Sequence, residues 1–331
     1  MIQITGMEEK HIRQMSTLLS KRHEQERKIF NFLPERFEEI DDAETVLRKL
    51  LERPFINGIV AVRGIDVIGY LLYEFKEDAK NGRFVWMDYE SIAISGHEHP
   101  RLLRLLYANA GAEWIKNGYF HHMLLAPLGN ELVIDQWLDQ SFSFDQKYGV
   151  LSLDDFKPKT GSIPKLEFRK GDREDSPLLK KMAMWNSIHQ ATAPSWLPIT
   201  RETLEDVKEN YEALTENEDA YLWMAEQGNR IAGFHVYFRK EEPMSLVTPE
   251  NCAELPAAST NPDLRGRGVG KALANHCFSE MKKQGFDYLV ADWNTANQLA
   301  SYFWPRMGFQ PIMVRMTRKI DPRIAWAHGE L

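Results

Sequence analysis

AASTNPDLRGRGVGKALANHC, residues 257–277, reads as a strand that passes into a helix through a basic, glycine-rich turn. The apolar run ends near Thr260, Asn261 and Pro262 make the turn, and glycines at 266, 268 and 270 stand where the helix opens. Glycine tolerates positive φ and lets backbone N–H groups approach an anion closely. A helix start adds roughly half a positive charge, and Arg265, Arg267 and Lys271 add full ones. The ligand this predicts is a phosphate or pyrophosphate. Residue identity excludes two common phosphate loops. A Walker A loop needs glycine where Arg265 stands and Ser or Thr where Ala272 stands; a dinucleotide fingerprint needs glycine at Lys271 or Leu273.

The helix itself is amphipathic, with Gly270, Leu273, Ala274, Cys277, Phe278 and Met281 along one face. The same face occurs earlier as Leu103, Leu106, Tyr107, Ala110, Gly111 and Trp114, and each helix ends at a glycine, Gly285 or Gly118. This is one part of an internal repeat. A shift of 164 lays Ala61, Gly64, Gly69 and Tyr73 on Ala225, Gly228, Gly233 and Tyr237, two strands around a polar turn. A shift of 167 lays Lys116, Gly118, Asn130, Trp137 and Phe142 on Lys283, Gly285, Asn297, Trp304 and Phe309. Between the copies FKPKTGSIP, 156–164, has linker composition. Each copy then reads as strand, helices, several strands, helix, strand, helix, strand, which is an α/β or α+β arrangement rather than a barrel or bundle.

Composition agrees with two domains. The 331 residues are about two domains' worth at roughly 150 residues each. With 43% hydrophobic residues and 9 Trp there is apolar material for two cores. The net charge of -7 speaks against a nucleic-acid partner or an anionic membrane surface. Cys252 and Cys277 cannot form a dense disulfide framework. The N-terminus reaches charged residues too early for a signal peptide, and no apolar run approaches the roughly 20 residues of a membrane span. The expectation is a soluble cytoplasmic protein.

Arg265-x-x-Gly268-x-Gly270 resembles the R/Q-x-x-G-x-G/A motif of the GCN5-related N-acetyltransferase (GNAT) superfamily, whose loop wraps the pyrophosphate of acetyl-coenzyme A. LVADWNTANQLASYFWPRMGF, 289–309, resembles that superfamily's splayed fifth strand, its N-x-x-A helix at Asn297 and Ala300, and its closing Gly308-Phe309. The resemblance covers about residues 165 to 318. It implies two tandem acetyl-CoA N-acyltransferase-like domains, each a mixed, mostly antiparallel sheet flanked by helices. The expected division is a degenerate domain over 1–156, a linker at 157–164 and a cofactor-binding domain over 165–331. In the first copy, Arg265, Arg267, Gly268 and Gly270 correspond to Glu98, Pro100, Arg101 and Leu103, which remove the cradle. His97 and His99 lack further ligands at zinc spacing, so no metal is expected.

The resemblance further implies acetyl transfer from acetyl-CoA to an amine without a covalent enzyme intermediate. Cofactor contacts are expected from Ala258, Thr260, Arg265, Gly266, Arg267, Gly268, Val269, Gly270, Lys271 and Asn297. An alkyl amine, with pKa about 10, must lose a proton to attack. Glu254 is the candidate base, on the strand where histone-acetylating relatives carry a glutamate, and Ala253-Glu254-Leu255 resembles their local sequence. Many members place a tyrosine seven residues after the motif asparagine; here Trp304 occupies that position, and its indole holds its proton near neutral pH. Tyr302 is about 200° away around the helix. Trp185, His189 and Trp196, within 184–202, are candidates to line an acceptor pocket. The acceptor expected is a small-molecule amine. The alternatives are a protein N-terminus or lysine, and a coenzyme A-binding sensor or scaffold without turnover.

Overall fold

Both halves of the chain run through one series of elements, to which the first adds a short strand, Ile92–Ile94. The first gives β1 (Gln3–Gly6), α1 (Ile12–Arg27), α2 (Ile40–Leu51), β2 (Ile56–Arg63), β3 (Asp66–Asp78), β4 (Gly82–Met87), β5 (Ile92–Ile94), α3 (Leu102–Lys116), β6 (His121–Pro127), α4 (Glu131–Leu138) and β7 (Ser143–Ser152). The second gives β8 (Glu167–Lys170), α5 (Ser176–Ala191), α6 (Arg201–Ala213), β9 (Tyr221–Gln227), β10 (Arg230–Lys240), β11 (Cys252–Thr260), α7 (Val269–Lys283), β12 (Tyr288–Asn294), α8 (Gln298–Met307) and β13 (Gln310–Lys319). This computed structural model describes residues 1–159 and 165–327; of the expected linker at 157–164, residues 160–164 lie outside the described residues.

The aligned residues of the repeat do the same work twice. Asn130 and Asn297 are the N-caps of α4 and α8, each side chain accepting from the backbone N–H three residues on, at Val133 and Ala300. Gly118 and Gly285 follow α3 and α7 at φ +78° and +88°. Tyr119 N–H then bonds Trp114 O, and Phe286 N–H bonds Met281 O, the same six-residue helix closure in both. Trp137 meets Phe142 edge-on at 5.4 Å, and Trp304 meets Phe309 at 5.5 Å. Each such pair contributes about 0.5–1.5 kcal/mol beyond its burial. A Cβ at Gly69 would stand 3.1 Å from Leu102, and one at Gly233 3.2 Å from Leu273, so both glycines let a helix pack close to its sheet.

Compactness divides the chain otherwise than the repeat does. Unit 1 comprises Met1–Lys147, Glu242–Val247 and Ile312–Leu331; unit 2 comprises Tyr148–Glu241 and Thr248–Pro311. In unit 1 the strand order is β1-β2-β3-β4-β6-β13, with β5 paired to β3 beside β4. Neighbours are antiparallel except β4 and β6, which run parallel from Val85↔His122 to Met87↔Leu124. In unit 2 the order is β12-β11-β10-β9-β8, and the parallel pair is β11 and β12. The core of unit 1 joins α3, through Leu106 and Trp114, to β6 and to Val314 and Met316 of β13. That of unit 2 joins α7, through Leu273, Cys277 and Phe278, to Trp304 and Trp293. Burying each such side chain contributes about 1.5–3 kcal/mol. Cys252 and Cys277 are both buried free thiols.

Candidate active site

Two strands that part company make the cleft. β11 and β12 pair in register only from Cys252↔Tyr288 to Glu254↔Val290. Directly after Glu254, β11 bulges: Phe238 faces Glu254 and Val236 faces Ala257, leaving Leu255 and Pro256 opposite the single residue Tyr237. Proline has no N–H to offer a ladder, and a bulge is where a strand accommodates one. The bulge turns β11 away from β12. Asn261 N–H bonds Ala232 O of β10, so by alternation the N–H and C=O of Thr260 and Ala258 point to the other edge, the one β12 has left. Their carbonyls are met by side chains instead, Ala258 O by Asn186 Nδ2 at 3.3 Å and Thr260 O by Arg265 Nε at 3.4 Å.

The glycine-rich turn closes the far end of this cleft. Gly266 and Gly268 take φ +76° and +83°, the left-handed region glycine enters without strain. Gly268 is the N-cap of α7 and offers no side-chain cap. The first bond that closes the helix is Ala272 N–H to Gly268 O, so the N–H groups of Val269 and Gly270 have no acceptor among the described residues. Gly270 sits against β11, where a Cβ would come 3.2 Å from Thr260 Oγ1. Arg265 is half-buried, forms no ion pair among the described residues, and burial lowers its guanidinium pKa from the ordinary value. Arg267 is exposed beside it. A desolvated cation and unsatisfied helix N–H groups together favour an anion.

Of the other expected site residues, Val269 is buried in the core, Lys271 is half-buried on the first turn of α7, and Asn297 caps α8. Glu254 stands at the root of the splay, roughly 20 Å along the strand from Thr260, and its carboxylate pairs with Lys240 Nζ at 3.0 Å. Trp304 is core, touching Phe303, Phe309 and His235. Tyr302 is 64% exposed under Arg306, turned away from that core. Trp196 is 72% exposed, while Trp185 packs on the cluster beneath α5.

One arrangement escapes sequence reasoning. Asn186 and His189, three residues apart on one face of α5, reach the two arms of the cleft. Asn186 holds β11 at Ala258, and His189 Nε2 lies 3.1 Å from Asn297 Oδ1 at the start of α8. That oxygen already accepts from Ala300 N–H at 3.2 Å, so it is the carbonyl oxygen, and Nε2 must be the donor. Nδ1 of a neutral His189 therefore carries the lone pair. The i, i+3 spacing is visible in the sequence, but nothing there assigns its partners at 258 and 297.

Residues 185–309 match the acetyltransferase (GNAT) family. No curated protein matches the chain. Among solved structures, a GCN5-related N-acetyltransferase from Sphaerobacter thermophilus aligns at TM-score 0.55 and 13% identity, over 96% of this chain and 95% of that one. A GCN5-related glucosamine N-acetyltransferase region of a fungal multi-domain GH3 β-N-acetylglucosaminidase aligns at TM-score 0.51 and 13% identity, over 96% of this chain and 38% of that one. At such identities the likeness is one of fold. Among the described residues no helix is long and apolar enough to cross a membrane. Residues 185–309, which hold the splayed parallel pair, thus match the GNAT family, and the two-copy mixed α/β fold of the chain is similar to that of GCN5-related N-acetyltransferases.

Proposed function

We propose that the second half binds acetyl-coenzyme A and transfers its acetyl group to the amine of a small molecule, by direct attack within a ternary complex. The observation that carries this reading is the open start of α7: two left-handed glycines, uncapped N–H groups, and a half-buried Arg265 with no carboxylate partner among the described residues. These residues fit a pyrophosphate, and a side chain at 270 would crowd Thr260. Arg265, Gly266, Arg267, Gly268, Val269, Gly270 and Lys271 would hold it, with Ala258, Thr260 and Asn297 along the pantetheine arm. Acetyl-coenzyme A bound there supplies the thioester acetyl group.

The chain's own residues supply the remaining needs. The N–H groups of Ala258 and Thr260, on the open edge of β11, are fixed donors for a carbonyl oxygen. The amine's proton has two candidate acceptors, the Glu254 carboxylate and His189 Nδ1. Trp304 cannot serve as an acid, so as the C–S bond breaks the leaving thiolate takes its proton from solvent or from the nitrogen that has just bonded to the acetyl carbon.

Thiol release from acetyl-coenzyme A over a panel of small amines, amino-terminal peptides and lysine peptides tests the reading. Turnover confined to small amines is the expected result. Turnover on peptides alone would move the acceptor to proteins, and tight cofactor binding with no turnover on any amine would make the protein a sensor.

A further inference from the structure

Unit 1 contains its own cleft, of about 920 Å³, and it is built for a different ligand. It opens where unit 1 repeats the splay. β4 pairs with β6 as far as Met87↔Leu124, the chain then turns through 88–91, and β5 pairs back only to β3. The cleft lies between β5 and the end of β6, roofed by α1 and by α4. Its volume is in the range of small-molecule sites.

The anion-binding end is closed. Arg101 N–H bonds His99 Nδ1, Leu102 N–H bonds His99 O, Leu103 N–H bonds Pro100 O and Arg104 N–H bonds Arg101 O. The start of α3 thus has no N–H groups to offer, in contrast to α7. Glu98, on the cleft wall, is held by both Nη atoms of Arg63 at 2.6 and 3.0 Å. That end therefore offers a phosphate no backbone cradle.

What remains is apolar with one uncommitted charge. Ala93, Leu125 and Trp137 line the interior, and Ile29 and Leu132 stand 52% and 60% exposed at the wall. Large apolar side chains left in water beside a cavity mark a surface that a ligand covers. Every carboxylate of the wall is engaged: Glu24 with Lys28 at 2.8 Å, Glu26 with Arg22 at 3.1 Å and with the Tyr89 hydroxyl, Glu98 with Arg63. Arg22 is anchored in turn on the carbonyls of Tyr89 and Ile92. Lys21, on the exposed turn of α1 that faces the cleft, forms no ion pair among the described residues. An ammonium ligand meets carboxylates whose charge is already offset by Lys28, Arg22 and Arg63, whereas a carboxylate finds Lys21.

From this we propose that unit 1 carries a second binding site, for a small organic acid with an apolar body, one carboxylate and no phosphate. The test uses the full chain with 4-phenylbutyrate and its neutral amide as probes, followed by calorimetric titration and saturation-transfer NMR. The acid should bind in the micromolar to low-millimolar range and the amide about tenfold more weakly. Lys21→Gln, a surface change, should bring the acid down to the affinity of the amide, and Leu132→Glu should weaken the acid further. Excess coenzyme A should displace neither. Failure of the acid to bind, equal binding of acid and amide, indifference to Lys21→Gln, or displacement by coenzyme A would each overturn the proposal. Unchanged circular dichroism of both variants keeps a loss of binding distinct from unfolding.

Discussion

In the proposed reaction His189 and Glu254 are the two candidate acceptors of the amine's proton, and their surroundings separate them. Glu254 is tied to the ammonium of Lys240 and sits where the strands have only begun to part. His189 stands over the open part of the cleft, with its Nε2–H committed to Asn297 and its Nδ1 bare. A base oriented by a third group is a recurring catalytic arrangement. The expected outcome is that His189→Ala lowers kcat by about 10²-fold or more. Glu254→Gln should leave kcat within a few-fold of the parent. An unaltered kcat in His189→Ala together with a comparable loss in Glu254→Gln would return the role to Glu254.

At the scale of elements, the start of α7 makes the sharpest prediction. Gly268→Val forces a branched side chain into φ +83° and should destabilise the fold by roughly 1–3 kcal/mol. Gly270→Leu aims bulk at Thr260, and the two together should abolish coenzyme A binding by calorimetry; unchanged affinity would sink the cradle. A second element-level prediction concerns β7, where a Cβ at Gly149 would meet the Trp293 ring at 2.8 Å and Gln310 O at 3.2 Å. Gly149→Val should therefore lower stability by about 1–3 kcal/mol in urea unfolding. These elements also show how far the sequence can be read. The faces of α3 and α7, the closing glycines and the paired Trp–Phe contacts follow from local periodicity and from the repeat, so the sequence carries them openly. The bulge at Leu255 and Pro256, the break at 88–91 and the bridging of the cleft by Asn186 and His189 depend on which strands lie side by side. Proline at 256 marks an irregularity in β11, but only the partner strand turns it into a splay.

For the molecule as a whole, the buried histidines set a pH dependence whose sign can be worked out. Burial pushes His23 and His122 of unit 1 down to about 4, and His235 of unit 2 down to about 3, from an unfolded value of 6.5. Each is wired as a neutral ring: His122, for example, has Nε2 on Tyr119 O at 3.0 Å and Nδ1 on the Tyr107 hydroxyl at 2.8 Å. The unfolded chain binds more protons than the folded one between pH 6.5 and 4, so stability is full above 6.5 and falls as the pH drops through this window. Each histidine accounts for at most about 1.4 kcal/mol per pH unit. Half-buried Glu90 acts the other way. Burial, and then the neighbouring Asp88, raise it to about 7, so the folded state holds its proton where the unfolded chain has lost it, from 4.5 to 7. Glu26 is raised by burial in the same direction. Two or so histidine equivalents therefore survive the opposition of Glu90, less what Glu26 takes, and urea unfolding should show stability falling between pH 6.5 and 4.5. His235→Gln removes one contributor and should flatten the slope by up to about 1.4 kcal/mol per pH unit. Glu90→Gln removes the opponent and should steepen it. A slope that steepens in the first variant or flattens in the second would show that these buried groups do not control the acid limb of stability.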